Sequence, residues 1–492
     1  MRRTRPRTPS SIEQSLMSHE LKRVMGLPAG IASAVGLVVA STTLVLQGQG
    51  FGIAGPGFLI AMAVAMLVNL FAMFSFAELA GIIPRAGSIN HYTQAALGPF
   101  MAIVAVLASY FIPVVFAGSA EAAVPGIIVR DVFWGWMPPR VFSVALVLTL
   151  VITNLRGITW FSAIQIATAT TMIGSVAAAG IVGLLGLGGG APLESSFGSF
   201  NPMGWSVLSL VALGFWLFVG AEFVTTLAEE IKKPRVYIPL SMFLGLLIIF
   251  ITGVLYGLAS LRYVRAEDLA SSLTPHVDMA SAMLGRSGQV WMSLASILAS
   301  ATTINTLLCA LPRMLYGMAN NGQLPSFMGK LNRFRVPSVA TYLVATAILV
   351  PVLAGVATAA TFLTYILAST FTWVIGYIIA HVDLMVLRFK YPEIRGGFRT
   401  PLFPLPQLLS LVGLVWILFN ISPDPEITGS VYAIAFVFLG IAIVYAALWV
   451  LLKEKKGLFQ TTPVADLVED FDDGAANETC ESEQRLEGSP PL

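Results

Sequence analysis

Glu222 is the residue most in need of an explanation. It lies in the stretch GFWLFVGAEFVTTLAEEIKKPRVYIP, residues 214–239, two positions after Gly220 and before any cluster of water-seeking charges. Removing a carboxylate from water is costly, so an acid in such a setting is paired, protonated or put to use. Three roles are open to it. It can be protonated and lock helices together, it can titrate during a working cycle, or it can meet a cationic solute as a carboxylate. The leading reading is an inner gating or structural role. A second polar group lies far upstream, where Ala40, Ser41, Thr42 and Thr43 interrupt GIASAVGLVVASTTLVLQGQGFGIAG. A third, Thr302 and Thr303 in LASATTINTLL, offers adjacent hydroxyl oxygens of the kind hard cations prefer.

The elements that must hold these residues follow from composition. The 492-residue chain is 56% hydrophobic and 11% charged, where a soluble protein carries about 25% charged residues. Its mean hydropathy is +0.82. Long uncharged blocks alternate with short charged ones, and each block suits the roughly 20 residues of a membrane-crossing helix. The chain is therefore read as an all-α integral membrane protein. The alternating pattern of a β-barrel is missing, and no cleavable leader is expected, because the first apolar run is too long and many more follow. Twelve helices are expected, at about 28–50, 56–82, 99–124, 140–155, 160–187, 205–228, 237–260, 289–312, 336–354, 360–388, 402–420 and 430–452.

Charge distribution orients them. With the N-terminus inside, 23 of the 28 Lys and Arg residues fall on the cytoplasmic side, leaving Arg130, Arg140, Arg262, Arg265 and Arg286 outside. By the positive-inside rule both termini are cytoplasmic, in a multi-pass cell-membrane protein. The organisation is a cytoplasmic segment 1–27, a membrane domain 28–452 and an acidic tail 453–492, expected to be disordered from about Gly457. The tail is read as solvating, with regulatory docking as the alternative. Cys309 and Cys480 cannot meet, and the four histidines lack metal-ligand spacing, so no disulfide or resident metal is expected. Nothing suggests nucleic-acid binding, and nothing fixes an oligomeric state.

A dozen spans without a soluble domain leave little room for enzymology, and no nucleophile set or nucleotide loop is visible, so the chain is read as a transporter rather than an enzyme. Transporters built from inverted repeats bind solute where two corresponding helices are broken at mid-membrane. The first and sixth segments carry candidates: the Ala40–Thr43 patch, and Gly220 flanked by Trp216, Phe218 and Phe223. Both also suit plain packing, with hydroxyls bonded back to their own helix and glycine allowing close approach.

Three motifs point to a family. FAELAGIIPRAGSINHYTQAALGP follows segment two and places Glu78, Pro84, Gly87 and Tyr92. TTLAEEIKKPRVYIP follows segment six and places Glu229, Glu230, Pro234 and Pro239. PRMLYGMANNGQLP ends segment eight and places Arg313, Met318, Ala319, Gly322 and Pro325. In order and at helix ends, they resemble the amino acid–polyamine–organocation (APC) transporter superfamily over nearly the whole membrane region.

The resemblance implies a LeuT-like fold: a five-plus-five inverted repeat (about 28–187 and 205–388), two added helices (402–452), breaks in helices one and six, and alternating access. It implies that backbone around Ala40, Ser41, Thr42 and Thr43 receives a substrate carboxylate. Carbonyls near Phe218, Val219 and Gly220 would receive the ammonium, with Trp216 as an aromatic gate. One departure stands out: Ala40-Ser41-Thr42 replaces the Gly-Ser-Gly of many amino-acid carriers, which narrows the approach to the backbone N–H groups. Sodium-independent relatives often carry a lysine in helix five, and this chain has none there. Sodium at Thr302 and Thr303, or proton coupling, is therefore left open, with no other cofactor expected. The function expected is secondary active transport of an amino acid, with a neutral one favoured. The alternatives are a polyamine or other organic-amine carrier, and a transport-dead nutrient sensor.

Overall fold

The computed structural model describes residues 21, 23–193, 199–355, 359–394 and 396–468. Among them the protein is helical throughout, and its one extended pairing is an isolated bridge between Met25 and Ile231. Eight helical runs are long and apolar enough to cross a membrane. Four shorter apolar helices accompany them: α1 (Leu27–Val38), α6 (Pro139–Asn154), α12 (Ser338–Ala354) and α14 (Leu405–Phe419). The remaining principal elements are α2 (Ser41–Ala54), α3 (Phe58–Ile82), α4 (Ile89–Ala96) and α7 (Ile158–Leu185). The α5 run (Pro99–Phe133) joins α-helical and π-helical turns. After it come α8 (Val211–Trp216), α9 (Pro234–Tyr263), α10 (Ala266–Ser271), α11 (Pro275–Asn320), α13 (Ala359–Lys390), α15 (Pro425–Trp449) and α16 (Val464–Val468).

Burial sorts the helices as a bilayer would. On α14 and α15, Val412, Phe419, Phe436, Val437, Ile441 and Val444 are all exposed, an apolar surface of the kind that faces lipid or a protein partner. In contrast, α1 is enclosed by α7, α9 and α11, and nine of its twelve residues are buried. With no water to satisfy backbone groups there, any break inside that enclosure needs protein partners.

Segment one is interrupted where expected, non-helical at Val39 and extended at Ala40. The expected elements differ from the observed ones in two other places. Segment eight is the middle of a 46-residue helix, α11, kinked at Gly285 (φ 62°); hydropathy detects only its apolar stretch. The tail is not free from Gly457 onward. Phe459 packs edge-on against Phe100, the Thr462 N–H donates to the Gln94 carbonyl at 3.2 Å, and Arg85 Nε donates to the Leu467 carbonyl at 2.7 Å. Val464 and Leu467 are buried by this docking. Val464 and Leu467, three apart, share one face of this short helix, a signal hidden by the acidic composition around it. The tail beyond Val468 and residues 1–20 lie outside the described residues.

Candidate functional site

Segment one breaks because its sequence makes helix continuation poor and supplies replacement partners. Ser41, Thr42 and Thr43 compete for backbone hydrogen bonds through their own hydroxyls. Thr43 Oγ1 donates to the Val38 carbonyl at 2.6 Å, capping the end of α1. Thr303 Oγ1, from α11, donates to the Gly36 carbonyl at 3.1 Å. The freed N–H groups at the start of α2 point elsewhere. Ser41 N donates to Glu121 Oε1 at 2.9 Å and Thr42 N to Glu121 Oε2 at 3.0 Å. Ser300 Oγ adds a third bond to Oε1 at 2.6 Å. Glu121 is 1% exposed. It is carried by α5 one turn beyond a π-helical segment, Val114–Gly118, a distortion common at functional sites.

Segment six breaks at Leu217–Gly220, between α8 and a 3₁₀ turn over Ala221–Leu227. Gly220 has φ 112°, and a Cβ on it would come within 2.6 Å of Leu37 Cδ2. The position needs glycine twice over, for backbone conformation and for contact with α1. Here too a carboxylate caps the break. Gly220 N donates to Glu222 Oε2 at 3.1 Å, Tyr377 Oη donates to the same oxygen at 2.7 Å, and Trp373 Nε1 donates to Oε1 at 2.8 Å. Glu222 thus fastens the break to α13.

The two breaks face a common cavity of about 30 Å³. Ala40, Thr42, Thr43, Trp216, Val219 and Thr303 line it, as do Glu121 and Trp373. Ser41, Phe218, Gly220, Glu222 and Thr302 do not. Ser41 Oγ donates to the Ser296 carbonyl at 2.6 Å, and Thr302 Oγ1 donates to the carbonyl of Leu298 in its own helix at 2.7 Å. Trp216 and Trp373 meet edge to face, with centroids 6.0 Å apart, and Trp216 Nε1 donates to Thr42 Oγ1 at 3.4 Å. Beside the candidate cation position, Gln165 Nε2 from α7 donates to the Ala32 carbonyl at 3.1 Å and to Thr306 Oγ1 at 2.8 Å. Asn305 Nδ2 donates in turn to Gln165 Oε1 at 2.8 Å.

A polar seal lies toward the end of the molecule where α1 begins. The N–H groups of Val24 and Met25 donate to the Glu230 carbonyl at 2.9 and 2.8 Å, and Lys232 N donates to the Met25 carbonyl at 3.0 Å. The buried Arg313 guanidinium is paired with the Glu230 carboxylate through two nitrogens. Neighbouring Glu229 accepts from Ala86 N at 3.1 Å. Burial pushes its carboxyl above the usual carboxylate range, and that N–H and the Arg85 charge pull it part-way back. The motif glutamates after segment six are thus held in place, Glu230 by Arg313 and Glu229 by the Ala86 N–H. Glu78 is likewise structural, bound by Arg388 at 2.5 and 2.7 Å and by Thr400 N at 2.8 Å.

The sequence profile of the amino acid permease family matches residues 25–452. The chain belongs to that family. The branched-chain amino acid permease of Bacillus subtilis is 25% identical over 82% of this chain and 89% of its own length. The methylthioribose transporter of the same organism is 24% identical, covering 84% and 89%. The L-asparagine permease of Escherichia coli is 25% identical, covering 80% and 81%. Among solved structures, a mutant manganese transporter from Eremococcus coleocola superposes with a TM-score of 0.58 at 12% identity, over 91% of this chain and 97% of that one. The likeness is one of fold. Among the described residues no group of three or more His, Cys, Asp or Glu gathers as metal ligands.

Sequence reasoning missed Glu121 and Trp373. Glu121 carried the same signal as Glu222, being the only Asp, Glu, Lys or Arg between Arg85 and Arg130. Trp373 gave no local signal, since only the fold brings α13 against the break.

Proposed function

We propose that this permease is a secondary active transporter that moves a small ammonium-bearing solute across the cell membrane by alternating access, using the cavity between the breaks of segments one and six. The carrying observation is that two interrupted helices, fifth neighbours in the order of segments, touch at Leu37 and Gly220 and enclose a cavity between them. In this reading the twelve apolar segments all span, as two inverted five-helix repeats plus two, with both termini cytoplasmic. The Glu230–Arg313 seal is then the inner gate. Glu222, whose oxygens are taken up by Gly220, Trp373 and Tyr377, is a latch that moves with the break rather than a contact for the solute.

Kinship favours a neutral amino acid as the solute, since two relatives are named as permeases for branched-chain amino acids and asparagine. Another is named for methylthioribose, which is no amino acid, so kinship leaves the class wider than that. Sodium independence is the coupling reading supported by the two threonines, whose hydroxyls are engaged with the Leu298 and Gly36 carbonyls.

Uptake into proteoliposomes, competed with a panel of amino acids and amines, tests the reading. Saturable uptake of one class supports it. If no panel member is carried or bound, the reading is overturned.

A further inference from the structure

We infer that the solute carries an ammonium group but no free carboxylate, because Glu121 already fills the carboxylate position of the site. This rests on the transporter reading above, and within it sets an amine against the amino acid that kinship favours. The N-terminal end of α2 is an anion-binding group of the usual kind, two convergent backbone N–H donors at a helix start. In this protein both donors are spent on one internal carboxylate, with bonds of 2.9 and 3.0 Å. An amino acid bound here would have to displace Glu121 and leave a second buried anion beside its own.

The remaining groups suit a cation. Glu121 Oε1 accepts from Ser41 N and Ser300 Oγ and Oε2 accepts from Thr42 N, while the Thr42 hydroxyl is a further donor to the same carboxylate. The carboxylate lines the cavity, where an incoming ammonium can replace the Thr42 hydroxyl as its donor. No Lys, Arg or His lines that cavity, so the carboxylate has no counter-charge of its own there. A buried carboxylate in that condition is favoured in its charged form by an incoming cation. Two indole rings, Trp216 and Trp373, line the same space at right angles, and indole faces attract ammonium groups. A carboxylate and two tryptophans form a receptor for a primary or methylated amine, and because the cavity has room for little more than a water, it must widen beside Leu37, Val114 and Leu307 to receive the carbon chain.

The test compares amino acids with their decarboxylated counterparts: serine with ethanolamine, ornithine with putrescine, leucine with 3-methylbutylamine. Binding is measured by calorimetry on the purified protein, and uptake of ethanolamine and putrescine in proteoliposomes. The wild type binds one or more amines and none of the parent amino acids. Glu121→Gln keeps the shape but loses the charge, and weakens amine binding roughly 30-fold or more. Glu121→Ala frees the two N–H groups, so the preference inverts and the parent amino acid now binds. Thermal melting and gel filtration check that each variant is folded, and should Glu121→Ala fail that check, the wild-type panel and Glu121→Gln decide. Wild-type binding of amino acids with their amines inert overturns this inference and leaves the transporter reading standing, as does Glu121→Gln with unchanged amine affinity. If the wild type neither binds nor carries either class, the transporter reading itself is overturned.

Discussion

The two breaks solve one problem in different ways. Each leaves backbone N–H groups unsatisfied inside an apolar enclosure, and each recruits a glutamate to cap them. In segment six the cap is local: Glu222 lies two residues from the N–H it accepts, and it is locked by Trp373 and Tyr377. In segment one the cap comes from another helix: Glu121 is 79 and 80 residues distant in sequence from its backbone donors, and it lines the cavity. Both carboxylates tie their break to another helix, Glu222 to α13 and Glu121 to α5, but of the two only Glu121 lines the cavity and meets whatever enters it. In the proposed reading Glu222 serves movement and Glu121 recognition.

Substitutions can separate these roles, and the largest effect is expected at the contact both breaks share. Gly220→Val forces an unfavourable φ and drives a side chain into Leu37. Transport should fall by about a hundredfold or more, since geometric errors of an ångström at a site cost that much. Initial uptake rates check it, and near-normal rates would show that the two breaks do not need their close contact.

Next in size is the seal below them. Arg313→Ala leaves the buried Glu230 carboxylate without its partner, a change that costs about 3–5 kcal/mol. A lowered melting temperature and lost accumulation are expected. Glu230→Gln with Arg313→Met should recover part of the stability and none of the gating.

Glu222→Gln sharpens the contrast more finely. The amide keeps the size of the group but cannot accept from Gly220, Tyr377 and Trp373 on both oxygens at once. The expected result is roughly a tenfold lower maximal rate with KM nearly unchanged, the pattern of a gating residue. A raised KM at constant rate would instead make Glu222 a solute contact. Trp216→Phe keeps the ring but loses its bond to Thr42 and part of its cation attraction, and should raise KM about threefold to tenfold. The smallest effect is expected from ions: replacing external sodium with choline should leave uptake unchanged. A strong loss would return Thr302 and Thr303 to consideration as ligands.

Much of the fold was legible because lipid imposes a simple rule, and blocks of about 20 uncharged residues can hardly be anything other than helices. The break at Ala40–Thr43 was readable from hydroxyls that compete with a helix, and the one at Gly220 from a glycine beside an acid. The partners of those breaks were not readable. Ser41, Thr42 and Glu121 come together only when α5 is placed against α2, and Thr302 turns back to its own helix where its equally polar neighbour Thr303 faces α1. Which of two adjacent threonines reaches across is set by helix rotation, and no local property of the sequence encodes that. The acid at 121 was readable in principle, since it is as isolated as Glu222.

The central claim is that solute occupies the cavity between the two breaks and that this cavity opens in turn to each side of the membrane. Val219 lines the cavity and is 4% exposed, so a thiol there reports on access directly. Val219→Cys, in a chain with Cys309 and Cys480 replaced, should react with a membrane-impermeant thiol reagent added to either side of the membrane, and saturating transported solute should slow both reactions. Labelling from neither side, or labelling that a transported solute leaves unchanged, would contradict the account.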